Sequence, residues 1–165
     1  MRTFVIVLLG VLVLVAGVLV PTMWFNLHDL RAADVAAAEA MAAARKVAPD
    51  LLSYDYRTVE KDLARAGAHT TGELTKHYKQ LTTSLVSKAK AEKTVRTVAV
   101  TAAAVERAAP DRVEILLFVN TGTVKEIAGQ AEPQQLFERS RARLVMVRQG
   151  SRWLVADLST LLGTA

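Results

Sequence analysis

The stretch Phe137-Glu138-Arg139-Ser140-Arg141-Ala142-Arg143-Leu144-Val145-Met146-Val147-Arg148 decides the fold. Its residues alternate, with Glu138, Ser140, Ala142, Leu144 and Met146 on one face and Arg139, Arg141, Arg143, Val145 and Val147 on the other. A period of two is that of a β-strand, whose successive side chains point to opposite sides of the sheet. Three cations on one side are too costly for a core, so the arginine side is the wet one. Those arginines either bond to cross-strand acids such as Glu114 or bind something anionic outside the chain. Working outward, Gln149-Gly150 turns this strand into a partner over Trp153–Leu158. Upstream, Val113, Ile115, Leu116, Leu117, Phe118 and Val119 form a strand apolar on both faces, and Asn120-Thr121-Gly122 opens a polar loop that ends near Pro133. The turn Ala108-Ala109-Pro110-Asp111 joins it to a first strand that begins after Thr94 and carries Val95, Val98, Val100 and Val105. The expected sheet therefore has four antiparallel strands.

Ahead of the strands the period changes to that of helices. Leu27, Leu30, Val35, Ala38 and Met41 stand at helical spacing, and nine alanines lie between Ala32 and Ala44. Ala permits close backbone approach, so this helix can pack tightly on its own domain or on a partner helix. Ala48-Pro49-Asp50 predicts a bend or a new element, because Pro disfavours helix at the residue before it. Thr58 heads a second helix with Glu60 and Asp62 in its first turn, ending near Gly67. Thr70 and Glu73 have capping-box spacing before the stripe Leu74, Tyr78, Leu81 and Leu85 of a third. The basic run Lys88, Lys90, Lys93 and Arg96 reads as a solvated helix end, with contact to a membrane surface or an acidic partner as the alternative. Helices segregated from a meander make an α+β domain whose sheet buries one face under helices.

The N-terminus is of another kind. Phe4 to Val20 contains no charged or polar side chain, and with Met23, Trp24 and Phe25 the apolar stretch covers 22 residues. That is about 33 Å as a helix, enough for a hydrocarbon core of about 30 Å. Ala16-Gly17 followed by Val18-Leu19-Val20 is a poor cleavage signal, so the segment reads as an uncleaved anchor running from Phe4 to Val20, with Trp24 and Phe25 at the interface. Arg2 precedes it and Asp29, Arg31 and Asp34 follow, which puts the N-terminus in the cytoplasm and the rest outside. The expected division is an anchor over 1–26, a helical stalk over 27–48 and an extracytoplasmic α+β domain over 49–165.

Composition narrows function. The chain has 165 residues, no Cys, and 21 basic against 16 acidic residues for a net charge of +5. The absence of Cys excludes disulfides, thiolate zinc sites and thiol nucleophiles. The mild positive excess suits an anionic membrane surface or an acidic partner and argues little for nucleic acid. His28, His69 and His77 lack the i, i+4 spacing of a helical metal site, and no Gly-rich phosphate loop or nucleophile elbow occurs. Tyr54, Asp55 and Tyr56 could in principle give a base beside tyrosine donors. Neighbours on a strand or helix diverge, however, so they read as structural, with the rings in the sheet and Asp55 capping the helix near Thr58. No cofactor, metal or catalytic residue is expected.

The N-terminal anchor, the Ala-rich helix, the segment Leu51-Leu52-Ser53-Tyr54-Asp55-Tyr56-Arg57-Thr58 and the closing block Arg141–Val147 through Trp153-Leu154-Val155-Ala156-Asp157-Leu158 carry a resemblance. Together they are similar to the actinobacterial Mce-associated membrane proteins over nearly the whole chain. The resemblance implies a cystatin-like or nuclear-transport-factor-like cone, like that of the inner-membrane bridging proteins of type IV secretion. It further implies a non-enzymatic, single-pass plasma-membrane subunit beside Mce and permease subunits of a lipid importer, with membrane lipid as a further contact and a homo-oligomer compatible with it. Tyr54, Asp55, Tyr56, Arg57, Trp153 and Asp157 are then structural motif positions, and Arg139, Arg141 and Arg143 a partner contact. Two alternatives stay open: an assembly factor of a secretion or conjugation machine with the same fold, and a small-molecule binder or isomerase. The last needs a deep pocket, and a cone filled by Leu117, Met146 and Trp153 leaves none.

Overall fold

The alanines of the first helix recur at Ala36, Ala40, Ala44 and Ala48, four apart, and all four are fully buried. They line one face of α1, residues 29–52, in a computed structural model that describes residues 29–130 and 132–161. The anchor positions Phe4, Val20, Trp24 and Phe25 lie outside the described residues. Among the described residues no helix is long and apolar enough to cross a membrane.

The break expected at Ala48–Asp50 is not there; α1 continues through Pro49 to residue 52. Pro49 forfeits its own backbone donor. Val47, Ala48 and Leu51 on the same turns are buried, which outweighs that loss, and the Pro49 carbonyl still accepts from Ser53 N at 2.9 Å. The boundary predicted between stalk and domain thus falls inside a helix whose alanine face belongs to the domain's own core.

β1, Tyr54–Asp55, follows at once, then α2, Val59–Gly67, and α3, Glu73–Ala91. The remaining strands are β2, Val95–Ala108, β3, Arg112–Lys125, β4, Gln134–Gln149, and β5, Arg152–Leu161. All five pair antiparallel in the order β1-β2-β3-β4-β5. The sheet has five strands where four were expected, because a two-residue strand has no periodicity to detect; β1 is held by the rungs Tyr54↔Arg96 and Asp55↔Val95. β3 also runs on through Asn120, Thr121 and Gly122, where a loop was expected, since these residues find rungs on both β2 and β4.

One face of the sheet carries the core. Val113, Ile115 and Leu117 of β3, with Leu144 and Met146 of β4, are completely covered by the helices. Trp153 packs against this core without being fully covered. It is half-buried on β5, where Arg148 stacks on its ring at 4.7 Å and Glu39 of α1 accepts from its Nε1 at 3.2 Å. Glu39 also receives Arg148 Nη2 at 2.5 Å, and these two hydrogen bonds hold its carboxyl below the usual range. This cluster clamps α1 across β4 and β5.

The predicted capping box at Thr70 and Glu73 does not form. Gly72, at φ 63°, is the N-cap of α3, and Thr70 Oγ1 bonds instead to the Gly67 carbonyl and to Thr75 Oγ1. Tyr78 of α3 is buried and donates its hydroxyl to the Leu51 carbonyl at 2.8 Å, satisfying an otherwise orphaned acceptor in the last turn of α1. Burial pushes its phenol up to about 12. Below pH 10 the phenol is protonated in both folded and unfolded chains. Between pH 10 and about 12 only the unfolded chain releases its proton, so stability falls as pH rises across that window. Tyr78→Phe is expected to cost about 1 kcal/mol at neutral pH and to flatten the alkaline fall, leaving the part due to Tyr54, whose phenol is also raised by burial. Urea unfolding of both proteins at a series of pH values checks this.

Candidate interaction surface

Among the described residues no helix lies on the other face of the sheet. Along β4 it presents Phe137, Arg139, Arg141 and Arg143, as the alternation predicted. The rungs place Phe137 beside Gly122 of β3, Arg139 beside Asn120, Arg141 beside Phe118 and Arg143 beside Leu116. β2 continues the surface with small residues, Ala99, Ala102 and Ala104, set against Asn120, Phe118 and Leu116. Phe137 is 80% exposed and Phe118 40%. The Phe137 ring lies over Gly122, where a Cβ would come within 3.4 Å of it. That is an ordinary contact distance, so the ring rests directly on the Gly122 backbone with room for no more than a methyl group beneath it. A shallow depression of about 600 Å³ between Thr97, Ala99, Asn120, Phe137 and Arg139 adjoins it.

The three arginines are not equivalent. Arg143 forms a two-pronged pair with Glu106, Nε to Oε2 at 2.6 Å and Nη2 to Oε1 at 3.2 Å. That carboxylate raises its pKa further. The expected partner was Glu114, but Glu114 sits two rungs further on, opposite Val145, while an irregularity between Val105 and Arg107 of β2 brings Glu106 to Arg143. Arg139 and Arg141 form no ion pair among the described residues. The surface thus combines two exposed aromatic rings, a floor of small residues and two uncompensated cations.

The other motif positions gather elsewhere. The Asp55 carboxylate accepts from Arg57 N at 2.9 Å and from Arg57 Nε at 2.9 and 3.1 Å, and it pairs with Arg57 Nη2. Those bonds hold it well below the ordinary carboxylate range. Arg57 in turn lies 5.7 Å from the centre of the Tyr56 ring. Asp55 therefore does not cap α2 with its side chain; only its backbone carbonyl receives Thr58 N, at 2.9 Å. The group that organises this corner is Asp62, which the sequence reading had placed merely in the first turn of α2. It is buried and accepts from Asp55 N at 3.1 Å, Thr58 Oγ1 at 2.8 Å and Arg65 Nη2 at 2.8 Å. The only sequence signal for it was the four-residue step from Thr58. Tyr54 faces the core side of the sheet on the rung with Arg96, and Asp157 is exposed on β5 opposite Val145. Within the basic run, Lys90 pairs with Glu60 at 2.5 Å and Lys93 with Glu126 at 2.8 Å, as a solvated helix end would.

Solved structures of similar fold include components of type IV secretion systems. An IcmL-like type IV secretion system protein from Legionella pneumophila superposes with a TM-score of 0.59 at 10% identity, covering 78% of this chain and 94% of that one. CagV of Helicobacter pylori, a VirB8 homologue of a type IV secretion system, gives 0.57 at 8% identity over 74% and 96%. The Agrobacterium tumefaciens VirB8 protein gives 0.52 at 13% identity over 75% and 90%. At these identities the likeness is one of fold alone, helices packed on an antiparallel sheet in an α+β domain. Sequence relatives are found in Mycobacterium tuberculosis. The uncharacterized protein Rv1362c is 30% identical over 158 residues, 93% of this chain and 69% of its own, and the outer membrane protein Rv1973 is 35% identical over 134 residues, 80% of each. A family model described as "Uncharacterized protein Rv1363c/MT1408-like" matches residues 2–152, so the match takes in the apolar N-terminal run and the folded domain as far as the start of β5, and the chain belongs to that family.

Proposed function

We propose that the chain is a non-enzymatic, membrane-anchored subunit that helps assemble a multi-protein membrane complex by protein contact, in the manner of an assembly factor. The observation that carries this reading is the uncovered sheet face, where Phe137 and Phe118 stand beside the uncompensated Arg139 and Arg141. Aromatic and Arg side chains are the usual anchors of protein interfaces. The positive charge selects a partner with an acidic, partly apolar surface. The apolar run Phe4–Val20 would hold the chain in the plasma membrane with the folded domain outside, and the fold shared with secretion proteins supports the assembly role. Asp55, tied up in its charged form by Arg57, is poorly suited to serve as a base.

A second reading, an accessory subunit of an Mce-type lipid importer, draws on the Leu51–Thr58 segment and its resemblance to Mce-associated proteins. One experiment separates the two. Full-length tagged protein is captured from native membranes in mild detergent and its companions identified by mass spectrometry. Export or conjugation subunits support the assembly role, and Mce with permease subunits support the second reading. Recovery of the tagged chain alone, even after cross-linking in intact membranes, overturns both.

A further inference from the structure

On the opposite side of the sheet, a cleft of about 310 Å³ lies at the corner where α1 ends and α2, α3 and β1 meet. Leucines, among them Leu52, Leu81, Leu85 and Leu158, make up its apolar wall, and polar groups that include Ser53, His77 and Thr160 complete the lining. Into this lining comes one unanswered cation. Arg96 faces the cleft from β2, on the rung it shares with Tyr54, and forms no ion pair among the described residues. Its Nε is buried without a hydrogen-bond partner. A buried guanidinium donor left unpaired is costly, because it gives up water and receives nothing in return. The two acids in the same lining do not answer it. Asp50 bonds to Arg65 at 3.1 Å and lies 3.4 Å from His69, and Asp62 is fully engaged by Asp55 N, Thr58 and Arg65.

We infer that this cleft binds a single-chain anionic amphiphile, a fatty acid, with its carboxylate on Arg96 and its acyl chain along the leucines. A carboxylate matches the planar fork of a guanidinium. One negative charge fits better than two, since Asp50 and Asp62 stand in the same walls. The volume is at the small end for ligand pockets, about 300–1,000 Å³, which admits one chain and not a two-chain lipid. Tyr54, on the same rung as Arg96 and in the same lining, supplies a neutral phenol donor. The inference is independent of the docking role given to the other sheet face.

The test uses full-length protein in native membranes and a photoactivatable diazirine derivative of lauric acid, with labelled peptides mapped by mass spectrometry. Label on the α3 segment around Leu81 and Leu85 and on the β5 segment around Leu158 is the expected result. Arg96→Gln should lower that label about tenfold, and Leu81→Trp, which fills the cleft and leaves Arg96 in place, should lower it as far. The corresponding diazirine alcohol, which lacks the charge, should label the cleft weakly. A thermal midpoint is taken for each variant, and if one fails to fold the other decides. Equal labelling of the wild type and a folded variant, equal labelling by acid and alcohol, or label confined to the Phe4–Val20 segment would each overturn the inference.

Discussion

Leu144→Ala is expected to lower the stability of the domain by about 3 kcal/mol and its thermal midpoint by about 10 °C. Leu144 is 0% exposed and sits mid-sheet on the rungs with Ile115 and Leu158, beneath the helices. Truncation removes three buried carbons and leaves a void that a sheet fixed by rungs on both sides cannot collapse to fill. Leu136 on the same strand and the same face is the control. It is 45% exposed, near the start of β4, so Leu136→Ala should change stability by less than about 0.5 kcal/mol. Circular dichroism melts of both proteins compare the two sites directly.

The second large effect concerns the uncovered face. A triple change of Phe137→Ala, Arg139→Glu and Arg141→Glu should reduce recovery of the partner at least about tenfold while the melting temperature stays within a few degrees. The ring is exposed and the two arginines form no ion pair among the described residues, so folding should not depend on them. Arg143 is left intact because Glu106 would lose its partner. Lys61→Glu, on the exposed side of α2, changes charge by the same sign away from this face and should leave recovery unaltered. Unchanged recovery with the triple variant would remove the sheet face from the proposed mechanism.

Much of this architecture could be read before any coordinates. The alternation along β4 told which side of the sheet is wet, and it did so because a strand's period is exclusive: Arg141 and Leu144 cannot share a face. The amphipathic stripe of α3 and the limits of α2 were legible for the same kind of reason. What escaped were features set by distant partners. β1 is two residues long and exists only because Arg96 and Val95 offer rungs to it. Pro49 stays helical only because the turns around it are buried. Glu106 reaches Arg143 through an irregular strand register that no local pattern announces. Likewise Arg96 looked like the last member of a solvated basic run, and its place over an apolar cleft depends on where β2 enters the sheet.

The clamp at Glu39 bears on how the molecule comes into being. Its bonds to Arg148 and Trp153 join positions 109 and 114 residues apart, whereas β2 to β5 are linked by successive hairpins. Helix α1 leaves the ribosome before any strand, yet β4 and β5, which its Glu39 clamps, are made last. Hairpins close over short loops and so form early, while a contact across most of the chain must wait for a large loss of chain entropy. Until β4 and β5 arrive, α1 presents a bare apolar stripe to whatever surrounds the nascent chain, so every copy passes through a stage in which its first helix is open to capture, by a chaperone or by a neighbour's finished sheet.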